Sequence, residues 1–187
     1  MDFFVFNYRS YSKSTDLYQA GISKHSHMKE IIITSKINVF ESIQELPQLE
    51  QNLIQKAIEV RKTAYAPYSK FRVGAAVLLE NGEIVTGSNQ ENAAYPSGLC
   101  AERVAIFHAG AVYPDIRILK IIITAASDNN VTTIPVPPCG ACRQTIAEYE
   151  IRQNAPVEIF YMGETGEIYQ SESLKNLLPF MFDNKLL

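Results

Sequence analysis

Cysteine is scarce in this chain of 187 residues, with three copies, and histidine is no more common. An odd number of cysteines, two of them in a Cys139-x-x-Cys142 pair beside prolines, argues against the disulfide framework of a small secreted scaffold. It leaves metal ligation or free thiols in a reducing compartment. No run of Lys or Arg is long enough to track a phosphate backbone, and the formal net charge is -3 with an isoelectric point near 5.7. Affinity for long nucleic acids rests on phosphate contacts, so this balance argues against a polynucleotide and for a small, uncharged substrate. No apolar stretch approaches the roughly 20 residues that span a bilayer. The expectation is a soluble, cytoplasmic protein with no membrane contact. Internal repeats and low-complexity segments are missing as well.

What is present suits one globular domain with a sizeable core: 47% of residues are hydrophobic and 20% charged. Residues 1–28 differ from the rest. Met1 to Phe6 is too short and carries the wrong charge for a secretory signal, and the polar, aromatic stretch after it has no period. We therefore expect a poorly ordered extension over 1–28 and a single domain over 29–187, with Met28 a candidate for the true start.

From there strands and helices alternate. Ile31 to Phe40 reads as a strand. A helix over Gln48 to Tyr65 presents Leu49, Leu53, Ile54, Ala57, Ile58 and Val60 on one face. Phe71 to Leu79 and Glu83 to Asn89 form a hairpin around Asn81-Gly82, a dipeptide that accepts positive φ. Further strands are expected at Arg117 to Ala125, Val157 to Met162 and Glu167 to Gln170, with helices over Cys100 to Gly110 and Cys139 to Arg152 and a short one over Ser173 to Leu178. Such alternation implies an α/β layer with helices on its faces.

All three cysteines fall at the starts of the two later helices, and Glu102 follows the first of them by two residues. Catalytic zinc keeps three protein ligands and an open fourth position, which Cys100, Cys139 and Cys142 would satisfy with one ion per subunit. A helix start lowers a thiol's pKa, and a ligated metal lowers it further. Glu102 stands where it reaches the open position without reaching the metal, which suits a proton shuttle acting on water that zinc has acidified to a pKa of about 7. Three-thiolate ligation with a non-ligand Glu is the arrangement of zinc deaminases. A structural zinc would want a fourth ligand, and His25 and His27 lie in the unpatterned extension while His108 sits well down a helix. Donors from Arg103 and Arg143 to the sulfurs would offset the charge of three thiolates; the alternative for each is an exposed helix position.

The blocks Tyr65-Ala-Pro-Tyr-Ser-Lys-Phe-Arg-Val-Gly-Ala-Ala76 and Asn89-Gln-Glu-Asn-Ala-Ala-Tyr-Pro96, followed by the two cysteine motifs, give the chain from about Leu49 to Phe182 a specific resemblance. It resembles the small, homotetrameric class of zinc-dependent cytidine deaminases. The resemblance implies a three-layer α/β/α sandwich around a mixed sheet of about five strands. It implies hydrolytic deamination of cytidine and deoxycytidine in pyrimidine salvage, with a nucleoside as the small-molecule partner. It places Phe71 against the pyrimidine, Asn89 and Glu91 on the ribose hydroxyls, and Ala101 in the substrate site. Ala93, Tyr95 and Phe182 would complete a neighbouring subunit's pocket, with Phe180 the alternative to Phe182. Without the resemblance, Phe71 reads as a core residue, and Asn89 and Glu91 as solvated polar groups. A deaminase of another aminated ring, such as blasticidin S, and a non-catalytic zinc-stabilised module are the competing readings; the Asn89/Glu91 pair disfavours the first and Glu102 the second.

Overall fold

A computed structural model describes residues 29–183. The expectations for residues 1–28, including a start at Met28, lie outside the described residues. The chain divides into Met1–Thr34 and Ser35–Leu187; of the first part, residues 29–34 carry no helix or strand.

The second part is built on one six-stranded sheet. Its strands are β1 (Asn38–Phe40), β2 (Phe71–Leu79), β3 (Ile84–Ser88), β4 (Ile118–Ser127), β5 (Glu158–Met162) and β6 (Ile168–Ser171), and its helices are α1 (Gln48–Arg61), α2 (Ala101–Val112) and α3 (Gly140–Gln153). The sheet order is β1-β6-β5-β4-β2-β3. Only β4 and β5 run parallel, and α3 is their crossover; every other pair is antiparallel. The mixed sheet expected with about five strands has six. Every segment read as a strand joins it, but the first is short. It is limited to Asn38–Phe40, where Asn38 faces Gln170, Val39 faces Tyr169 and Phe40 faces Ile168.

Alternation along the central strands sends side chains to two cores. Ala76, Leu78, Ile122, Phe160 and Met162 meet Leu53, Ile54 and Ala57 of α1 on one face. Val77, Ile121, Ile123 and Ile159 meet Ala105 and Ile106 of α2 and Ile146 of α3 on the other. The three layers follow, since a sheet apolar on both faces needs cover on both. Leu49, expected on the buried face of α1, is 45% exposed; the seam narrows to Leu53, Ile54 and Ala57. The helix also stops at Arg61 rather than Tyr65, because the Tyr65 N–H donates to the Asn89 carbonyl and its own carbonyl accepts from the Glu91 N–H. Residue 65 is held by the loop after β3 and cannot close a helical turn.

Two glycines set how closely the helices approach. A Cβ on Gly74 of β2 would stand 2.0 Å from the Ala57 carbonyl oxygen of α1, and one on Gly87 of β3 would stand 2.7 Å from the Ala101 carbonyl oxygen and 2.6 Å from the Ala105 nitrogen of α2. Only a bare Cα lets the first turn of α2 lie on β3. That turn carries Cys100 and Glu102.

Candidate active site

Cys100 and Cys139 are the N-cap residues of α2 and α3, with extended backbone and no capping hydrogen bond from a side chain to the backbone of its own helix. Caps are usually Ser, Thr, Asp or Asn, whose oxygen turns back onto the helix. Here the capping side chains turn away and meet each other. The Cys100 and Cys139 sulfurs are 3.7 Å apart, Cys139 and Cys142 are 3.5 Å apart, and all three lie within 4.8 Å of one another. Ligands about 2.3 Å from a tetrahedral zinc sit roughly 3.8 Å from each other. The three thiols therefore fit a zinc ion with one position left over. No His, Asp or Glu joins the cluster among the described residues, and His108 is exposed on α2.

The electrostatics of the cluster favour an anion. Cys100 is held down to about 5, first by a hydrogen bond from Cys142 and further by Cys139 and Arg103, against the opposing effect of burial. The Cys142 thiol is pushed up, by that same hydrogen bond and by burial. Burial disfavours the charge of Arg103, yet its hydrogen bonds to Cys100 and Cys142 prevail and raise it. Its Nη2 also faces the Gly98 carbonyl at 3.5 Å. Arg143 is placed differently: Nε donates to the Pro138 carbonyl and Nη1 to the Leu177 carbonyl, each at 2.8 Å. Two of its nitrogens brace the approach to α3 against the segment that follows β6.

Glu102 is 4% exposed and stands in the wall of the same pocket. Burial raises its pKa to about 7, and the charge on Cys100 adds to that. A carboxyl there exchanges a proton near neutral pH. The pocket encloses about 610 Å³, and Phe71, Asn89, Glu91, Tyr95, Cys100 and Cys139 are among its lining residues. That volume suits a small ligand.

Further lining comes from the start of β2 and the loop after β3. Asn89 Oδ1 accepts from the Val73 N–H at 2.7 Å and Nδ2 donates to the Phe71 carbonyl at 2.9 Å, so its amide extends the ladder of β2 and keeps one donor and one acceptor free for a ligand. Gln90 and Leu99 exchange backbone hydrogen bonds at 2.9 Å, which closes the loop and leads the chain into Cys100. Glu91 accepts from the Tyr68 N–H at 2.9 Å, from the Ser69 N–H at 3.3 Å and from the Ser69 hydroxyl. The Ser69 hydroxyl comes first among the causes that hold its carboxyl below the usual range.

Of the residues expected to serve a neighbouring subunit, Tyr95 lines this chain's own pocket, edge-to-face with Tyr68 at 6.0 Å. Ala93 and Phe182 do not line it; both are exposed, and the Phe182 carbonyl accepts from Gln144 Nε2 at 2.9 Å. Ala101 is fully buried beneath Gly87. Sequence reasoning gave no role to Tyr68 or Ser69. The signal available for Ser69 was a serine just ahead of a strand, where a hydroxyl takes the backbone N–H two residues on.

The family described as Cytidine and deoxycytidylate deaminase zinc-binding region matches residues 47–155. A cytidine deaminase of Halalkalibacterium halodurans is 42% identical over 133 residues, which cover 71% of this chain and 92% of that protein. One of Sporosarcina psychrophila is 42% identical over 135 residues, 72% of this chain and 92% of its own length. Among solved structures, a cytidine deaminase from Burkholderia pseudomallei is similar at 36% identity with a TM-score of 0.61, over 70% of this chain and 97% of that one.

Proposed function

The chain belongs to the zinc-dependent cytidine and deoxycytidylate deaminase family, and from that premise we propose that it hydrolyses cytidine and deoxycytidine to uridine and deoxyuridine with release of ammonia. One observation carries the reading: of three thiols at zinc-ligand spacing, Cys100 and Cys139 line a pocket together with the buried carboxyl of Glu102 and with Phe71, Asn89 and Glu91. Bound through Cys100, Cys139 and Cys142, zinc supplies a Lewis acid and an acidified water.

The chain's own residues do the rest. Glu102, with a carboxyl poised near neutrality, would take one proton from the attacking water and pass it to the ring nitrogen, then take the second proton of that oxygen and pass it to the departing amine, which leaves as ammonia as the uridine carbonyl forms. Its burial excludes bulk water that would compete for that proton. Phe71 packs on the pyrimidine, while Asn89 and Glu91 take the sugar hydroxyls through the hydrogen-bonding capacity their backbone contacts leave free. Arg103, held against the thiolates, offsets their negative charge. The catalytic unit is the domain from residue 29 onward. It works in the cytoplasm as a homotetramer, in which Ala93 and Phe182 serve a neighbour's pocket.

The deciding experiment follows the ultraviolet absorbance of cytidine with zinc-loaded protein and with chelator-treated protein alongside. Zinc-dependent conversion to uridine is the expected result. A flat trace from zinc-replete protein would overturn the reading.

A further inference from the structure

We propose that Ser69 is a positioning residue: its hydroxyl aims the Glu91 carboxylate at the sugar hydroxyls and thereby sets how strongly the site discriminates for them. The inference rests on the nucleoside reading and names how the sugar end of that site is held. A carboxylate offers about four lone-pair directions. Both backbone donors, the N–H groups of Tyr68 and Ser69, fall on Oε2. The Ser69 hydroxyl is the protein donor to Oε1. With Oε2 filled twice and Oε1 once, one direction on Oε1 remains for a hydroxyl arriving in the pocket.

The serine proton has a fixed destination. Ser69 Oγ accepts from the Phe71 N–H at 3.0 Å, so the oxygen faces that amide and its hydrogen is left to point at Glu91. The residue between them, Lys70, has φ 57°. Left-handed backbone is unfavourable for a residue with a Cβ and persists where surroundings hold it. Here it folds the chain so that the amide of Phe71, whose ring lines the pocket, turns back onto Ser69. One hydroxyl thus ties the sugar-facing carboxylate to the backbone of the base-facing ring. Without it, Oε1 loses this anchor and the carboxylate swings about its last torsion.

The test compares kcat/KM for cytidine with that for 2′,3′-dideoxycytidine, which lacks both hydroxyls, in wild type, Ser69→Ala, Ser69→Thr, Glu91→Gln and Ser69→Ala/Glu91→Gln. In Ser69→Ala the ratio should fall about 5- to 20-fold, through a higher KM for cytidine rather than a lower kcat. Ser69 is exposed, so the added methyl of threonine has room, and Ser69→Thr should restore the ratio to within about twofold. On top of Glu91→Gln, Ser69→Ala should change the ratio no further. An unchanged ratio in Ser69→Ala, while wild type still prefers cytidine, overturns the proposal alone. So does an equal loss on both nucleosides, which marks a loop-building role. A wild-type ratio near one overturns the assignment of Glu91 to the sugar, and this proposal with it.

Discussion

Glu102 is costly to the fold and belongs to no ion pair among the described residues: a carboxyl 4% exposed, in a helix turn packed on β3. That placement supports the proton transfer proposed for it. Glu102→Gln keeps the shape and removes the exchangeable proton. Turnover of cytidine should fall about 10²- to 10⁴-fold, while zinc content by elemental analysis stays as it was, because Glu102 is not among the clustered thiols, and the thermal midpoint does not fall. Loss of zinc in that variant, or substantial residual turnover, would contradict the role. Residues of this kind were legible in the sequence because metal ligation and proton transfer demand fixed residue types at fixed spacings, and Cys100, Glu102, Cys139 and Cys142 meet both demands. Ser69 and Arg143 were not legible in the same way. Serine and arginine bond to many groups, and which group each meets depends on chain segments far away in sequence: Glu91 for the first, Leu177 for the second.

Elements hold the site through close backbone approach and through one buried acid. Gly87→Ala would push a Cβ into Ala101 and Ala105 of α2. The helix must move, and Cys100 and Glu102 move with its first turn. The variant should lose about 1–3 kcal/mol of stability, and it should release zinc to a chelator at a lower chelator concentration than wild type. An unchanged zinc affinity would mean that α2 is set from elsewhere. Glu150 of α3 is 7% exposed; Oε1 accepts from the Val157 and Leu174 N–H groups, each at 2.8 Å, and Oε2 from the Ser173 hydroxyl at 3.0 Å. It fastens the start of β5 and the segment after β6 to the helix that bears Cys142. Glu150→Ala orphans two buried amides and should cost about 2–4 kcal/mol in urea unfolding, while Glu150→Gln, which keeps one acceptor, should cost less. Equal losses would assign the cost to packing. The strands and helices were legible through their periodicities, and the Asn81-Gly82 turn through its dipeptide: Gly82 has φ 87°. Ends were less so. The short β1 and the early stop of α1 are decided by partners, Ile168 to Gln170 for the strand and Asn89 for the helix, that local pattern does not contain.

At the scale of the whole molecule, a net charge of -3 and a pocket of about 610 Å³ fit a small neutral substrate, and no described helix is long and apolar enough to cross a membrane. The proposed homotetramer can be tested at Phe182. Its side chain is 56% exposed and lines no part of its own pocket, yet its carbonyl is tied to Gln144, one turn into the helix that carries Cys142. An exposed aromatic ring leaves apolar surface in water, and a second subunit that covered it would bury that surface. If that cover is a neighbour's pocket, every site draws Glu102 from one chain and Phe182 from another. Phe182→Ala alone should then raise KM for cytidine, and Glu102→Gln alone should abolish turnover. Co-assembled in equal amounts, the two variants create some sites with an intact Glu102 and a neighbour's intact Phe182, about a quarter of the total for random mixing. Turnover at low cytidine should exceed the mean of the two parents, by a margin that grows with the KM defect of Phe182→Ala. Activity equal to that mean at every cytidine concentration would show that Phe182 serves only its own chain.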